Sequence, residues 1–249
     1  MTRVRTARQA AAWLDRVGVA LLLAKPDNVL PSLWEAVKGD REQTWAIRDA
    51  DGAFVAWSEE MGVVWRLKDE LPERGLACVG KHLGAGVACI SPAALPLLYA
   101  LTGRDGTPED FRAASTGLEL ELAEAVLAEG PRSGPELREL LGVPKAQVER
   151  ALARLQRRLV LTSAGLVERE QGWPAVALDL VARAWELPAL PSEDEARRAL
   201  ARLVLDAAGE LTAADLAAAL GWRRKLAAEV LDEVAEGRDG DGFRIWTRL

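Results

Sequence analysis

The C-terminal half of this sequence falls on itself when shifted by 79 residues. Gly130 meets Gly209, Ser133 meets Thr212, Glu136 meets Asp215, Leu137 meets Leu216, Gly142 meets Gly221 and Leu152 meets Leu231. A repeat at fixed spacing builds one supersecondary unit twice, so each coincidence must serve the same local geometry in both copies. Ser133-x-x-Glu136 is the pattern of a capping box: the hydroxyl accepts from an orphan amide and the carboxylate reaches back to the cap residue's own N–H. Thr212-x-x-Asp215 is its counterpart with a shorter acid, and a cap of this kind contributes on the order of 1 kcal/mol. Leu137, Leu140 and Leu141 supply an apolar face to the helix so opened. Gly142 permits a left-handed turn after it. Pro144 starts a third helix, at a position where a missing amide costs nothing. Residues 159–163, a turn at Ala164-Gly165 and residues 166–170 predict a two-stranded wing. In the second copy, 243–247 forms the return strand behind a tip at 239–242. Helix lengths, caps, glycine turn and wing occurring twice predict two winged helix-turn-helix modules, at 116–190 and 191–249.

Residues 1–115 mix helices and strands. A helix is expected over 6–17, with Ala10, Trp13, Leu14 and Val17 on one face, and the apolar run 18–23 reads as a buried strand. A short helix over 31–37 stops at Gly39, and a hairpin spans 45–57 around Asp51-Gly52. A helix over 59–71 is ended by Pro72. Strands 76–82 and 87–90 pair across Gly84-Ala85-Gly86, and Ser91-Pro92 caps and opens a helix to Leu101. The turn-rich stretch 105–117 and the stretch 188–194, where Pro188 and Pro191 cannot continue a helix, are the boundaries. The expected fold class is α+β, predominantly helical, with tandem winged helix-turn-helix modules behind an N-terminal mixed α/β region.

Composition narrows the function. At 249 residues, 49% apolar and 28% charged, the chain has the balance of a globular protein. The longest apolar run, 17–24, is far short of the roughly 18 residues a membrane span needs, and the first residues lack the apolar stretch of a signal peptide. A cytoplasmic protein without a membrane partner is expected. Two cysteines, Cys78 and Cys89, and one histidine, His82, are too few for a disulfide framework. They lack the spacing of a zinc site, so no metal is expected. The chain has no Gly-rich phosphate loop, no nucleophile elbow and no metalloprotease helix, and no cofactor is expected. Net charge is −6 with a pI near 5.1, so any nucleic-acid footprint must be a local basic face.

Such a face lies on the third helix of the first module. Val148, Ala151, Leu152, Leu155 and Leu159 point into the core, and Ala146, Gln147, Arg150, Arg154 and Arg157 point away. Over residues 132–158, seven Arg and Lys stand against three Glu, a local net charge of +4. The candidate DNA-binding residues are Lys145, Gln147, Arg150, Arg154, Arg157 and Arg158, since arginine makes bidentate contacts to phosphate or guanine. Late arginines also complement the helix dipole while solvated, and both readings stand for Arg154, Arg157 and Arg158. At the 79-residue offset the arginines become Glu229, Glu233 and Glu236, an acidic face suited to a protein partner, self-association or a structural role. Arg223, Arg224 and Lys225 begin that helix. Of the nine tryptophans, Trp13, Trp34, Trp65, Trp173 and Trp185 sit in apolar contexts and are expected in cores; an exposed one could stack on an unpaired base. Lys68-Asp69-Glu70 beside Trp65 reads either as an acid–base pair or as a solvated helix end.

Several segments carry a family resemblance: Pro31-Ser32-Leu33-Trp34-Glu35-Ala36, Trp65-Arg66-Leu67-Lys68-Asp69-Glu70-Leu71-Pro72, Tyr99-Ala100-Leu101-Thr102-Gly103 and Gln171-Gly172-Trp173-Pro174. Together, across roughly 15–185, the chain resembles bacterial AlkZ-related proteins, distant relatives of the AlkZ/YcaQ DNA glycosylases. The resemblance implies tandem winged helices, a third and divergent one within 1–115, and a link to DNA repair. Glycosylases of that superfamily excise alkylated bases or unhook crosslinks with a Gln-x-Gln or Gln-x-Asp pair that positions water, at a flipped nucleotide. The glutamines here are Gln9, Gln43, Gln147, Gln156 and Gln171, and none makes such a pair. Gln147-Val148-Glu149 comes nearest, on the basic helix, so no catalytic residue carries over. The leading expectation is a DNA-binding winged-helix protein without glycosylase chemistry. The alternatives are a glycosylase with a non-standard catalytic pair and a protein-interaction scaffold with an acidic second winged helix.

Overall fold

The computed structural model describes residues 3–84, 86–169, 172–239 and 244–247. Ala85, Glu170, Gln171, the tip residues 240–242 and Phe243 lie outside the described residues. The N-terminal unit runs α1 (Ala7–Val17), β1 (Val19–Leu21), α2 (Leu33–Lys38), β2 (Ala46–Arg48), β3 (Phe54–Trp57), α3 (Glu59–Glu73), β4 (Cys78–Gly80), β5 (Ala88–Ile90) and α4 (Leu95–Ala100). A 3-10 turn at Asp110–Ala113 leads into α5 (Gly117–Glu129), β6 (Arg132–Ser133), α6 (Gly134–Leu141), α7 (Lys145–Arg157), β7 (Leu161–Val167), β8 (Ala175–Leu180) and α8 (Val181–Ala184). The last unit is α9 (Glu193–Ala208), β9 (Glu210–Thr212), α10 (Ala213–Leu220), α11 (Arg224–Val234), β10 (Glu236–Asp239) and β11 (Arg244–Thr247).

One order of elements recurs three times: helix, strand, helix, helix, strand, strand. In each unit the last strand lies between the other two, giving sheets β1-β5-β4, β6-β8-β7 and β9-β11-β10, with antiparallel pairing throughout. The N-terminal copy carries an insertion, the β2–β3 hairpin, between its second and third helices.

The repeat holds in local detail. Both capping boxes are closed, Ser133 with Glu136 and Thr212 with Asp215. Gly142 and Gly221 both cap their helices in the left-handed region, at φ 64° and 71°, where a β-carbon would be strained. Buried residues coincide at the offset: Leu122 with Ala201, Val126 with Leu205, Leu137 with Leu216, and Val148, Ala151, Leu152 and Leu155 with Ala227, Val230, Leu231 and Val234.

The N-terminal sheet is covered on both faces, which is why 17–24 reads as an unbroken apolar run rather than an alternation. Val19, Leu21, Cys78, Ala88 and Ile90 join the core shared with α4, α9, α10 and α11. Ala20, Leu22, Val79 and Cys89 join the core built with α1, α2 and α3. The first repeat closes a third core around Phe111, Leu122, Leu137, Leu155 and Leu180. No helix among the described residues is long and apolar enough to cross a membrane.

Four local expectations need correction. Ala164-Gly165 is a β-bulge within one continuous strand, at the register shift between Ser163 and Leu166, and the partner of β7 is β8. Gly165 at φ 112° looks in sequence like a turn because bulges and turns both use glycine. Helix α3 runs through Pro72 to Glu73, because Leu71 and Pro72 are both buried and packing carries the last turn past the proline. The Ser91-Pro92 segment is a turn in which Ser91 receives the Ala94 N–H, and α4 begins only at Leu95. Leu140 is exposed and lies outside the apolar face of α6.

Candidate nucleic-acid interface

Helix α7 buries Val148, Ala151, Leu152 and Leu155 and leaves Lys145, Gln147, Glu149, Arg150, Arg154, Arg157 and Arg158 exposed. The structure divides the six candidate residues. Arg154 and Arg158 both grip Glu119 of α5, Arg154 through its Nε and Arg158 through Nη1 at 3.1 Å. Arg158 also donates to the Ala114 carbonyl. Lys145 stands 3.7 Å from Glu149 on its own helix. Arg150 donates from Nε to the Ala146 carbonyl at 3.0 Å, and its terminal nitrogens have no partner among the described residues. Among the described residues, the side chains of Gln147 and Arg157 have no partner.

The acidic helix of the second repeat is explained in part by the same contacts. Glu233 pairs with Arg198 at 3.1 Å. Arg198 stands 79 residues after Glu119 and Glu233 stands 79 after Arg154, so one interhelical ion pair occurs in both repeats with its charges exchanged. The arginine-to-glutamate change between repeats is, at this position, compensated inside the chain. Glu229 lies 3.8 Å from Lys225. Glu236 is not on the helix at all: α11 ends at Val234 and Glu236 opens β10. We expect Glu119→Arg to cost about 0.2–1 kcal/mol, as partly exposed pairs do. Adding Arg154→Glu should restore part of it, since the contact with Arg158 stays lost; urea titration of the singles and the double exchange reads the coupling. No recovery in the double variant would show that the pair is incidental.

Basic side chains also mark the second repeat. Arg224, Lys225 and Arg244 line a cleft of about 380 Å³ with Thr212, Ala213, Ala228 and Trp246. Its counterpart in the first repeat, a notch of about 70 Å³, is lined by Gly134, Pro135, Arg138, Lys145, Val148 and Glu149. Arg244 is partly engaged by Asp232 at 3.1 Å.

The feature that sequence reasoning missed is aromatic. Trp13 and Trp34 are buried as expected, and Trp185 is partly buried against a core. Trp65 and Trp173 are not core residues: they are 49% and 86% exposed. With Trp45 and Trp57, 44% and 58% exposed, they line a cleft of about 400 Å³ floored by Met61 and Gly62. Trp45 and Trp57 come from the inserted hairpin and its flank, Trp65 from α3, and Trp173 from the loop between β7 and β8. The signal was present in the hairpin, where aromatic and β-branched residues occupy both strand faces, Ile47, Phe54 and Val55 among them, all exposed. Phe54 meets Trp57 edge-on at 5.2 Å.

The remaining candidates resolve as structure. Lys68 is paired with Asp69, and Arg66 with Glu70 at 3.0 Å, so these carboxylates serve neighbouring cations on the helix. Cys78 and Cys89 are free and buried, on opposite faces of the N-terminal sheet; burial pushes both thiols up to about 12 and removes their nucleophilicity. Among the described residues, no group of three or more His, Cys, Asp or Glu could hold a metal ion. Gln43 donates from its amide to the Ala24 carbonyl at 2.5 Å and receives the Trp45 indole N–H at 2.8 Å, which fixes one wall of the aromatic cleft. Gln156 receives the Lys81 N–H at 2.9 Å.

A family model described as AlkZ related matches residues 4–221. Among solved structures, the chain is similar to the Streptomyces sahachiroi DNA glycosylase AlkZ, at 18% identity and a TM-score of 0.45, over 69% of this chain and 52% of that one. The chain therefore spans about half the length of the matched protein. No curated protein matches.

Proposed function

The chain belongs to the AlkZ-related family, and from that premise we propose that it is a DNA-binding protein of three winged-helix units, divided at 1–115, 116–190 and 191–249, that docks mainly through α7. The observation that carries this reading is the outward side of α7. There Gln147, Arg150 and Arg157 are exposed with no carboxylate partner among the described residues. Lys145, held only by an exposed pair on its own helix, joins them at little cost. Arg154 and Arg158 belong to this surface by position, but their contact with Glu119 commits much of their charge to holding α5 against α7. Third helices of such units lie in the major groove and place side chains at base edges and phosphates.

The same proposal assigns this chain no glycosylase chemistry. The glycosylases that the chain resembles position water with a Gln-x-Gln or Gln-x-Asp pair, and neither pattern occurs in the sequence. Incubation with alkylated DNA should release no free 7-methylguanine above the level of a boiled control; release would establish a non-standard catalytic pair. Fluorescence anisotropy with a labelled duplex tests the docking face. Arg150→Glu with Arg157→Glu should weaken binding by at least about tenfold, since an arginine contact to DNA is worth about 1–3 kcal/mol. Equal affinity in wild type and double variant would remove α7 from the interface.

A further inference from the structure

The cleft of Trp45, Trp57, Trp65 and Trp173 has no role in docking through α7, and its construction is unusual for a surface. Burial of indole rings stabilises a fold, yet here four of them stay substantially exposed around one concavity of about 400 Å³. Among the described residues the indole N–H groups of Trp57, Trp65 and Trp173 meet no acceptor. Only Trp45 is satisfied, by Gln43. A solvent-exposed two-stranded hairpin is marginal in water by itself, and β3 is exposed at every residue.

Charge adjoins the aromatic walls. A second pocket of about 250 Å³ is lined by Lys68, Lys81, Gln156 and Ser163, with Val79, Gly80, Val87, Val176 and Leu178. The two concavities meet at one pair of residues: the Lys68 ammonium lies 5.7 Å from the centre of the Trp65 ring. Lys68 is balanced by Asp69, whereas Lys81 is exposed and has no carboxylate partner among the described residues. A π-walled cleft with free indole donors, next to a cationic and amide-bearing pocket, is complementary to a base and its phosphate. Stacking on aromatic faces with cations along the backbone is how unpaired nucleotides are held without sequence preference.

We infer that the tryptophan cleft binds a single unstacked nucleobase of DNA, with Lys68 and Lys81 beside the adjoining phosphate and the β2–β3 hairpin as the apolar wedge that occupies the vacated stack. This rests on the DNA-binding reading, and the test separates the two. Three duplexes of one sequence are compared by anisotropy: fully paired, with one extrahelical base, and with an abasic site at that extra position. Wild type should bind the extrahelical-base duplex more tightly than the other two. Trp57→Ala with Trp65→Ala should lose about 5- to 150-fold on that duplex, the range of one stacked base per alanine substitution, and keep its affinity for paired DNA. Trp65→Phe should retain the preference, because the ring face and not the indole shape does the stacking. Equal wild-type affinity for all three duplexes would overturn the inference and leave docking through α7 standing. An alanine variant that weakens all three alike, or dissociates a wild-type dimer in light scattering while keeping the base preference, would also overturn it. Absence of binding to any duplex would overturn both.

Discussion

Replacing Arg104 with alanine should destabilise the protein by about 3–5 kcal/mol, the cost of leaving one half of a buried ion pair behind. The side chains of Arg104 and Asp110 are each only 6% exposed and meet at 2.8 Å. The same guanidinium donates to the Arg158 carbonyl at 2.6 Å and the Leu159 carbonyl at 2.9 Å, at the C-terminal end of α7, where carbonyls lack helical partners and the dipole favours a cation. It also covers the Tyr99 ring at 4.5 Å. Tyr99 donates to Asp110 at 2.7 Å and the Gly106 N–H does so at 2.9 Å. The connector between the N-terminal unit and the first repeat is thus pinned to α7 through one side chain. Urea unfolding of Arg104→Ala measures the effect. Arg104→Met combined with Asp110→Leu should recover part of the loss, since it removes both charges together. A loss below about 1 kcal/mol in the single variant would mean that the pair is exposed enough to be replaced by water.

Acid should loosen a second tie between the same two units. His82 donates from Nδ1 to the Gln156 carbonyl at 2.8 Å, and its Nε2 lies 3.5 Å from the Cys78 sulfur. The Thr162 hydroxyl donates to the Val79 carbonyl at 3.1 Å in the same seam. Desolvation by burial lowers the imidazole from 6.5 to about 4, against hydrogen bonds to Gln156 and Val79 that favour the charged form. The folded pKa lies below the unfolded one, so between about pH 6.5 and 4 the unfolded chain binds the extra proton. Stability is therefore full above pH 6.5 and falls as pH drops, by on the order of 2 kcal/mol between pH 7 and 4.5. Glu124, Glu136 and Glu195 are all held below their usual range, by Arg112, Ser133 and Ser192 respectively. Their contribution begins to be lost as pH falls through 4.5, the ordinary carboxyl value, and continues below it, so it overlaps only the acid end of this window. Because His82 is the sole histidine, His82→Gln should flatten the urea midpoint over pH 7 to 4.5. An identical slope in wild type and variant would contradict a neutral buried imidazole.

Features governed by local chemistry were legible in the sequence. The capping boxes, the left-handed glycines 142 and 221 and the buried face of α7 follow from residue type at fixed spacing, and the repeat doubled the signal of the caps and glycines. What depends on tertiary partners was not legible. Nothing local distinguishes a glycine bulge at Gly165 from a turn, or shows that Pro72 is packed tightly enough to stay helical. The exchanged pairs, Glu119 with Arg154 and Arg198 with Glu233, join residues 35 apart, and neither is visible until α5 and α9 are laid against their third helices. The aromatic cleft draws on segments over 100 residues apart, so Trp65 and Trp173, each in an apolar local context, read as core.

The salt dependence of duplex binding tests the central claim most directly. The slope of log K against log salt counts the phosphates neutralised, at about 0.9 for each one on B-DNA. Arg150→Gln with Arg157→Gln should flatten the wild-type slope by up to about 1.8, the full value if each arginine neutralises one phosphate. Glu229→Gln with Glu236→Gln, on the acidic side of the second repeat, should leave it unchanged. A slope that survives removal of both arginines, or one that shifts with the glutamates alone, would contradict docking through α7.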